Sequence, residues 1–369
     1  MKWTGSYDKC HIDHIDKKRW LFAMYTICFG IMVMLVFGRF LYYGKSFVGG
    51  ADGLSQVAPT MQYTGQYYRA LLKNILQGNL QIPMWDMSIG FGMNILQVIS
   101  FDPLYILCSV LFVHDIAVGI AIFDMLCLYL AGIMFIALCY NLGCNRYAAL
   151  VAALAYIFNG YILNYCIAQN SFLRLFIVLP MILLGVYNVT KKNRYGIFVL
   201  AVLYNITLGP LNIYTIGIVL IFCFCMAYIF SDRKKGVADF FSYIWKPVLI
   251  YILEMLVMAV FLIPTMYKVV SGGRIGNASI NFQWLYDVSY YRSLFHGLVG
   301  IDEIGIHGYL GVTTLAVLAV VSLVTRRKKN ILEKKLCVFG IIALFLAIFP
   351  IGSYKRQVCC IGCHVSEIV

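Results

Sequence analysis

The sequence WLFAMYTICFGIMVMLVF, residues 20–37, is a charge-free apolar run of nearly membrane-crossing length. An α-helix needs about 20 mostly apolar residues to cross the hydrocarbon core of a bilayer. No small-residue cleavage site follows the run, so we expect a retained first helix rather than a removed signal peptide. Over the whole chain 62% of the residues are hydrophobic and 12% are charged, which is outside the range of soluble domains. The sequence therefore predicts an all-α, polytopic integral membrane protein.

Clusters of Lys and Arg separate the apolar runs and indicate the sidedness of the loops. These clusters are Lys17-Lys18-Arg19, Arg146, Lys191 to Arg194, Arg233-Lys234-Lys235 and Arg326 to Lys329. Because basic loops stay in the cytoplasm, the count gives about nine transmembrane helices and a cytoplasmic amino terminus. We expect the spans near residues 20–38, 116–140, 147–166, 172–189, 195–209, 211–230, 243–266, 309–325 and 336–353. The net charge of +13 then belongs to short loops, which argues against nucleic-acid binding.

This count divides the chain into a membrane domain with two long outer loops. The predicted parts are a cytoplasmic amino terminus at 1–19, a membrane domain at 20–353, outer loops at 39–115 and 267–308, and an atypical tail at 354–369. The apolar run 95–113 is assigned as re-entrant or interfacial, because counting it as a crossing would put Arg146 on the outer side. Its internal Asp102-Pro103 pair supports this interpretation, since proline interrupts a helix and a carboxylate is costly in lipid.

The segment GGADGLSQ, residues 49–56, places a lone carboxylate between small residues where the first helix leaves the membrane. An acid at this boundary can take a proton from a water-soluble acceptor while a membrane-anchored donor lies beside it. Asp52 is therefore our candidate catalytic base, with the alternative that it is a turn residue capping a nearby helix. The aromatic-rich, amphipathic stretch at 61–73 is expected to lie along the interface. Asp86 and Asp102 are candidate second acids or metal ligands, although each also suits a turn or a helix start.

Arginines on the outer side are candidate ligands for a lipid phosphate. A guanidinium matches phosphate oxygens as a planar fork, whereas most interfacial arginines only reach toward headgroups. The candidates are Arg39, Arg69, Arg174, Arg274 and Arg292. Two acids, Asp124 and Glu254, fall inside predicted spans, where an ionisable group either marks function or forms hydrogen bonds within the bundle.

Several short motifs follow one another in a recognisable order. They are Gly50-Ala51-Asp52, Pro83-Met84-Trp85, Ile89-Gly90-Phe91-Gly92-Met93-Asn94, Asp102-Pro103, Asn145 to Leu150 leading to Ala155-Tyr156, Leu179-Pro180 and Asn212-Ile213-Tyr214. Their order and spacing resemble the YfhO family of bacterial membrane proteins, relatives of the GT-C glycosyltransferases that use polyprenyl-phosphate sugars. The resemblance covers roughly residues 18–353.

The resemblance implies a GT-C-like helical bundle in the bacterial cell membrane and a sugar-transfer activity. It implies a donor sugar on undecaprenyl phosphate, an extracytoplasmic acceptor such as teichoic or lipoteichoic acid, and inversion at the anomeric carbon. Asp52 matches the family's first-loop acid and would act as the general base, with outer arginines holding the phosphate. A divalent cation, Mg²⁺ or Mn²⁺, would suit carboxylate and phosphate oxygens. A polyprenyl-phosphate sugar synthase on the cytoplasmic side is the implied protein partner.

Two other functions stay open from the sequence. A transporter that flips the lipid-linked sugar would depend on polar groups inside the bundle, namely Asp124, Glu254 and Asn159. Relatives in the family usually run longer, and the ending at 355–360 departs from the family's pattern. We therefore expect a truncated or frame-shifted product, which leaves an inactive fragment or a scaffold for a partner synthase as the third interpretation.

Overall fold

The computed structural model describes residues 4–49, 52–79, 81–167, 169–208, 237–260, 262–264, 267, 288, 314–326, 333–335, 337–338 and 340–341. These residues are mostly helical, which confirms the predicted all-α class. The helices are α1 (Thr4–Tyr42), α2 (Ala58–Leu76), α3 (Pro103–Leu111), α4 (Ile116–Asn141), α5 (Arg146–Ile157), α6 (Leu173–Lys192), α7 (Gly196–Ile206), α8 (Val237–Val257) and α9 (Thr314–Thr325). A small antiparallel hairpin joins β1 (Trp85–Asp86) to β2 (Met93–Asn94).

Three helices in the described part of the chain are long and apolar enough to cross a membrane. They are Arg19–Tyr42 within α1, the whole of α4 and the whole of α6. This confirms a membrane-embedded protein, while the count of about nine spans stays a prediction. The predicted span at 211–230 and most of the one at 336–353 lie outside the described residues.

The predicted span at 147–166 is not one continuous helix. α5 ends at Ile157, and a π-helical turn, Ile162–Cys166, follows. Asn159 stands at the interruption, where its side chain donates to the Tyr156 carbonyl at 2.7 Å and accepts from the Ile162 amide at 2.9 Å. Because this amide side chain takes over backbone hydrogen bonds, the helix breaks here.

The apolar run 95–113 likewise splits into short pieces. It holds a 3₁₀ turn, Ile95–Gln97, and then α3. Asp102 caps α3 by accepting from the Leu104 amide at 2.8 Å. The nine residues of α3 rise only about 14 Å, roughly half of the hydrocarbon core. This length suits the interfacial or re-entrant interpretation and is too short for a crossing.

α4 and α6 form the centre of the described bundle, with α5 and α1 on one side and α7 on the other. Tyr25 of α1 stacks on Tyr129 of α4 at 5.6 Å between ring centroids and donates to its carbonyl at 3.0 Å. Gly185 of α6 lets α7 approach closely, since a Cβ there would stand 2.7 Å from the Phe198 Cα atom. α2 and α3 pack together over the amino-terminal end of α4. The segment around Asp52 lies next to this end.

Candidate functional site

Asp52 begins a π-helical turn, Gly53–Val57, directly before α2. Its side chain makes no capping hydrogen bond to that turn, so the helix-cap alternative does not describe it. Instead the carboxylate accepts from Gln56 Nε2 at 2.9 Å and from Gln169 Nε2. Gln56 lies one helical turn away, whereas Gln169 comes from the turn that precedes α6.

In the described part of the chain, no neighbouring cation balances the charge of Asp52. Both hydrogen-bond partners are neutral amides, and among the described residues no Lys or Arg forms an ion pair with it. A carboxylate has about four acceptor positions, and the amides occupy two of them. Asp52 is half-buried, so it keeps capacity to accept a proton or a further hydrogen bond.

A partly open cavity of about 220 Å³ lies next to the residues that hold this carboxylate, although Asp52 itself is not among its lining residues. Both amide partners of Asp52 line it. The remaining lining residues are Val57, Thr60, Leu96, Gln97, Val98, Ile99, Ser100, Phe101, Tyr105, Asn170, Ser171, Arg174, Thr207 and Leu208. The cavity therefore joins the Asp52 turn, the segment before α3, the start of α6 and the end of α7.

Arg174 supplies the cationic group of the cavity. The residue is 7% exposed and stands in the first turn of α6, where its guanidinium lies 5.6 Å from the centroid of the Tyr105 ring. Nη1 forms a single 3.4 Å ion pair with Asp102, and Nε has no hydrogen-bond partner within the described structure. Because an arginine offers five donors, Arg174 retains N–H groups for an anion that enters the cavity.

Asp102, one of the candidate second acids, is fully buried. One carboxylate oxygen accepts from the Leu104 and Tyr105 amides at 2.8 and 3.4 Å. The other accepts from Arg174 and, at 3.2 Å, from the Tyr204 hydroxyl. Four donors thus occupy this carboxylate, which anchors α3, α6 and α7 to one another and fixes the Arg174 guanidinium.

Asp124 lies deeper, in the third turn of α4, and is fully buried. Neither carboxylate oxygen has a hydrogen-bond partner in the described structure. Asn170, which lines the cavity, is its polar neighbour. A buried, unpaired carboxylate is costly, so this position differs sharply from the saturated Asp102.

Asp86, the other candidate second acid, lies in the hairpin and does not line the cavity. It accepts from the Ser88 hydroxyl and amide at 2.7 and 2.8 Å and from the Tyr63 hydroxyl at 2.7 Å. The Ser88 hydrogen bonds, followed by that from Tyr63, hold the pKa of the Asp86 carboxyl below its usual value. Burial and the neighbouring Asp86 raise the pKa of the Tyr63 hydroxyl. The pair therefore ties the hairpin to α2.

The predicted phosphate-binding arginines separate in the structure. Arg69 donates from Nε to the Val110 carbonyl at 2.7 Å and from Nη2 to the Leu111 carbonyl at 3.4 Å. Its guanidinium therefore caps the carboxyl end of α3. Arg39 is exposed in the last turn of α1. Arg274 and Arg292 lie outside the described residues, so their roles stay predictions.

The residues named for transport have different surroundings in the described structure. The side-chain amide of Asn159 is occupied by hydrogen bonds to the backbone at the break after α5. Glu254 is 8% exposed in α8, and neither carboxylate oxygen has a partner among the described residues. The same part of the chain gathers no group of three or more His, Cys, Asp or Glu side chains that could hold a metal. The divalent cation therefore stays a prediction.

Sequence reasoning missed the residues that hold Asp52 and Arg174 in place. Gln56 carried a signal, because an Asp and a Gln four positions apart face each other on a helix. Gln169 lies 117 positions from Asp52 in the chain, and Tyr204 lies 102 positions from Asp102. No local pattern connects residues at such separations.

Comparison with protein-family models matches residues 24–354 to the family described as bacterial membrane protein YfhO. The match covers most of the chain and nearly coincides with the stretch over which the motifs were found. Comparison with curated proteins and with solved structures gives no match. The chain belongs to the YfhO family of bacterial membrane proteins.

Proposed function

We propose that the protein transfers a sugar from undecaprenyl phosphate to an extracytoplasmic polymer of the cell envelope such as teichoic or lipoteichoic acid. One observation carries the proposal. The Asp52 carboxylate is held by two neutral amides beside a cavity whose lining includes the buried guanidinium of Arg174. The general base is thus one hydrogen bond away from two residues that line the cavity, and the anion-binding group lines it directly.

The chemistry divides between these two groups. Asp52 takes the proton of the acceptor hydroxyl while the hydroxyl oxygen bonds to the anomeric carbon of the donor sugar. The bond from that carbon to the phosphate oxygen breaks, and its electron pair stays on the departing lipid phosphate. Arg174 stabilises the charge of that phosphate with its remaining N–H groups. Attack opposite the leaving phosphate inverts the anomeric carbon, as in GT-C relatives.

The size of the cavity supports a small occupant. Its volume of about 220 Å³ is below the roughly 300–1,000 Å³ of sites for drug-sized ligands. A single sugar ring with its phosphate at the edge suits this space, and the polyprenyl chain must stay outside it. The amide and hydroxyl groups of the lining, such as Asn170, Ser100 and Thr207, offer hydrogen bonds to a sugar.

Reconstituted protein tests the proposal. Purified protein in liposomes is given lipid-linked labelled sugar and an acceptor polymer, and label on the polymer is measured. We expect Asp52→Asn to reduce transfer by about 100-fold or more, the contribution of general-base catalysis. Asp115→Asn is the matched control, since Asp115 is an exposed cap of α4 outside the cavity lining. It should keep full transfer.

Two results would overturn the assignment. Full transfer by Asp52→Asn would remove the base from the mechanism. Movement of labelled lipid-sugar between leaflets with no label on any acceptor would favour transport instead. The buried, unpartnered Asp124 and Glu254 are the observation that keeps transport as the second candidate, because uncompensated ionisable groups inside a bundle often mark a transport path.

A further inference from the structure

The hairpin, residues 82–94, presents a row of exposed apolar side chains. Phe91 is 100% exposed, Met87 70% and Trp85 60%. Ile82 and Met84 are also exposed. Proteins rarely leave this much aromatic and aliphatic surface in water without a partner. Neither the cavity nor the proposed transfer chemistry uses any of these side chains.

The tip of the hairpin holds its most exposed residue in an unfavourable backbone conformation. The Gly92 amide donates to the Ile89 carbonyl at 2.9 Å, which closes a four-residue turn. Gly90 and Phe91 are its central residues, with φ values of 54° and 64°. Glycine or asparagine is the usual choice in such a turn, and a bulky side chain at positive φ is strained. Turn formation therefore does not explain a phenylalanine at this position.

Hydrogen bonds hold the hairpin at a fixed place against α2. The Tyr63 hydroxyl donates to Asp86 at 2.7 Å, and the Tyr67 hydroxyl donates to the Pro83 carbonyl at 3.1 Å. The Trp85 ring covers Gly92 so closely that a Cβ on this glycine would stand 3.0 Å from Trp85 Nε1. The apolar tip is therefore part of the same rigid unit as α2.

The chemistry of this surface favours lipid over a polar partner. Asp86 is the one ionisable residue between 82 and 94, and three hydrogen bonds from Ser88 and Tyr63 occupy its carboxylate. The end of α2, which precedes the hairpin in the chain, also exposes apolar side chains, namely Leu72, Ile75 and Leu76. A sugar–phosphate polymer would call for free hydroxyl, amide or cationic groups. Aromatic and aliphatic side chains are those that enter the headgroup–acyl boundary of a bilayer.

The bilayer is also within reach of the hairpin. The first span ends at Tyr42, and the chain turns back there, with Phe47 packing on Phe37 and Phe40 at 5.1 and 5.3 Å between ring centroids. α2 starts soon afterwards, at Ala58. The unit formed by α2 and the hairpin is thus attached by a short segment to the end of a membrane-spanning helix.

We propose that the hairpin tip inserts into the headgroup–acyl boundary of the leaflet on which Asp52 lies. Trp85, Met87 and Phe91 are the inserting side chains, and the occupant of this surface is the lipid bilayer itself. The insertion holds α2 along the membrane and so orients the cavity toward lipid-borne ligands. This surface is independent of whether the protein transfers or transports a sugar.

Fluorescence at the tip tests the insertion directly. An environment-sensitive fluorescent amino acid is placed at position 91, or at the exposed Arg194 in the loop between α6 and α7 as the control, in the protein reconstituted in nanodiscs of phosphatidylglycerol and phosphatidylethanolamine. We expect the probe at 91 to emit at shorter wavelength and to be quenched by spin labels near the top of the acyl chain. We expect the probe at 194 to be quenched by aqueous iodide instead.

A pair of substitutions separates insertion from folding. With the probe at position 87, Phe91→Glu should lower quenching by lipid spin labels at least twofold, because a charge resists the acyl boundary, whereas Phe91→Leu should preserve it. Iodide quenching at 91 equal to that at 194 would overturn the proposal. Shielding that appears only after an acceptor polymer or a second protein is added would overturn it too, and would assign the surface to that partner.

Discussion

Asp52 and Asp102 are both aspartates of the predicted first outer loop, yet their surroundings differ completely. Asp102 is fully buried and accepts from two backbone amides, one guanidinium and one phenol. Asp52 is half-buried and accepts from two side-chain amides. The first carboxylate has no free acceptor position, whereas the second retains about two.

In the proposed mechanism, this difference gives one residue type two purposes near a single cavity. A saturated carboxylate paired with a cation is a fixed structural point, so Asp102 holds Arg174 where an anion can reach it. A carboxylate held only by neutral donors keeps its negative charge available to a proton. We therefore assign positioning to Asp102 and proton transfer to Asp52 in the proposed mechanism.

The largest expected effect is on stability, in Asp102→Asn. Asparagine can still accept a hydrogen bond from the Leu104 amide, but its neutral side chain no longer offsets the charge of Arg174. The substitution therefore leaves a buried cation without an ion-pair partner. We expect the free energy of unfolding to fall by about 3–5 kcal/mol, measured by thermal unfolding of the detergent-solubilised protein. Asp52→Asn, which breaks no ion pair, should change it by less than about 1 kcal/mol.

A double variant checks the reason for that loss. Asp102→Asn combined with Arg174→Met removes the orphaned cation together with its partner. Its unfolding temperature should lie above that of Asp102→Asn alone. If the single variant unfolds like the unchanged protein, the ion pair does not stabilise the bundle and the contrast with Asp52 disappears.

A smaller effect is expected from the amides that hold Asp52. Gln169→Ala removes one hydrogen bond to a charged group, a contribution of roughly 1.5–3 kcal/mol. We expect kcat for sugar transfer to fall roughly tenfold or more, and to change more than the KM for the lipid donor, because the hydrogen bond that is lost positions the base. Gln77→Ala, the same change at an exposed site, should leave both constants as they are.

Gln169→Glu tests the same point from the other direction. A second carboxylate beside Asp52 repels its charge, so transfer should fall further than in Gln169→Ala. Transfer by Gln169→Glu equal to that of the unchanged protein would show that Asp52 does not depend on this contact.

The smallest expected effect is on stability, in Arg69→Gln, and it distinguishes the structural role of Arg69 from the phosphate-binding role proposed for Arg174. Arg69 donates to carbonyls at the end of α3, so Arg69→Gln should lower the free energy of unfolding by about 1 kcal/mol and leave the donor KM unchanged. Arg174→Lys loses the guanidinium fork and should raise the donor KM. A higher donor KM in Arg69→Gln at an unchanged unfolding temperature would instead support the predicted phosphate contact of Arg69.

Sequence patterns predicted the parts of the fold that depend on local chemistry. Apolar runs near 20–38, 116–140 and 172–189 predicted α1, α4 and α6, because length and hydropathy alone decide whether a helix suits a bilayer. The Asp102-Pro103 pair predicted an interruption, and the structure has a helix start there. The break at Asn159 inside a predicted span was missed, because it depends on which backbone groups one amide side chain reaches.

The candidate site was predictable only in part. The Gly-x-Asp motif pointed to Asp52, yet nothing local separated it from Asp86 or Asp102. All three are acids near glycine or proline in one predicted loop. Their partners distinguish them, and the partner of Asp102 on α6 is 72 positions away along the chain.

The sequence by itself determined that this protein is helical, membrane-embedded and a member of the YfhO family, because those properties follow from apolar length and motif order. Only the tertiary structure decided that the Asp52 carboxylate keeps free acceptor positions and that the Asp102 carboxylate has none. That outcome depends on donors brought from α6 and α7 to the same end of the bundle, and hydrogen bonds form between groups that are close in space, whatever their separation in the chain.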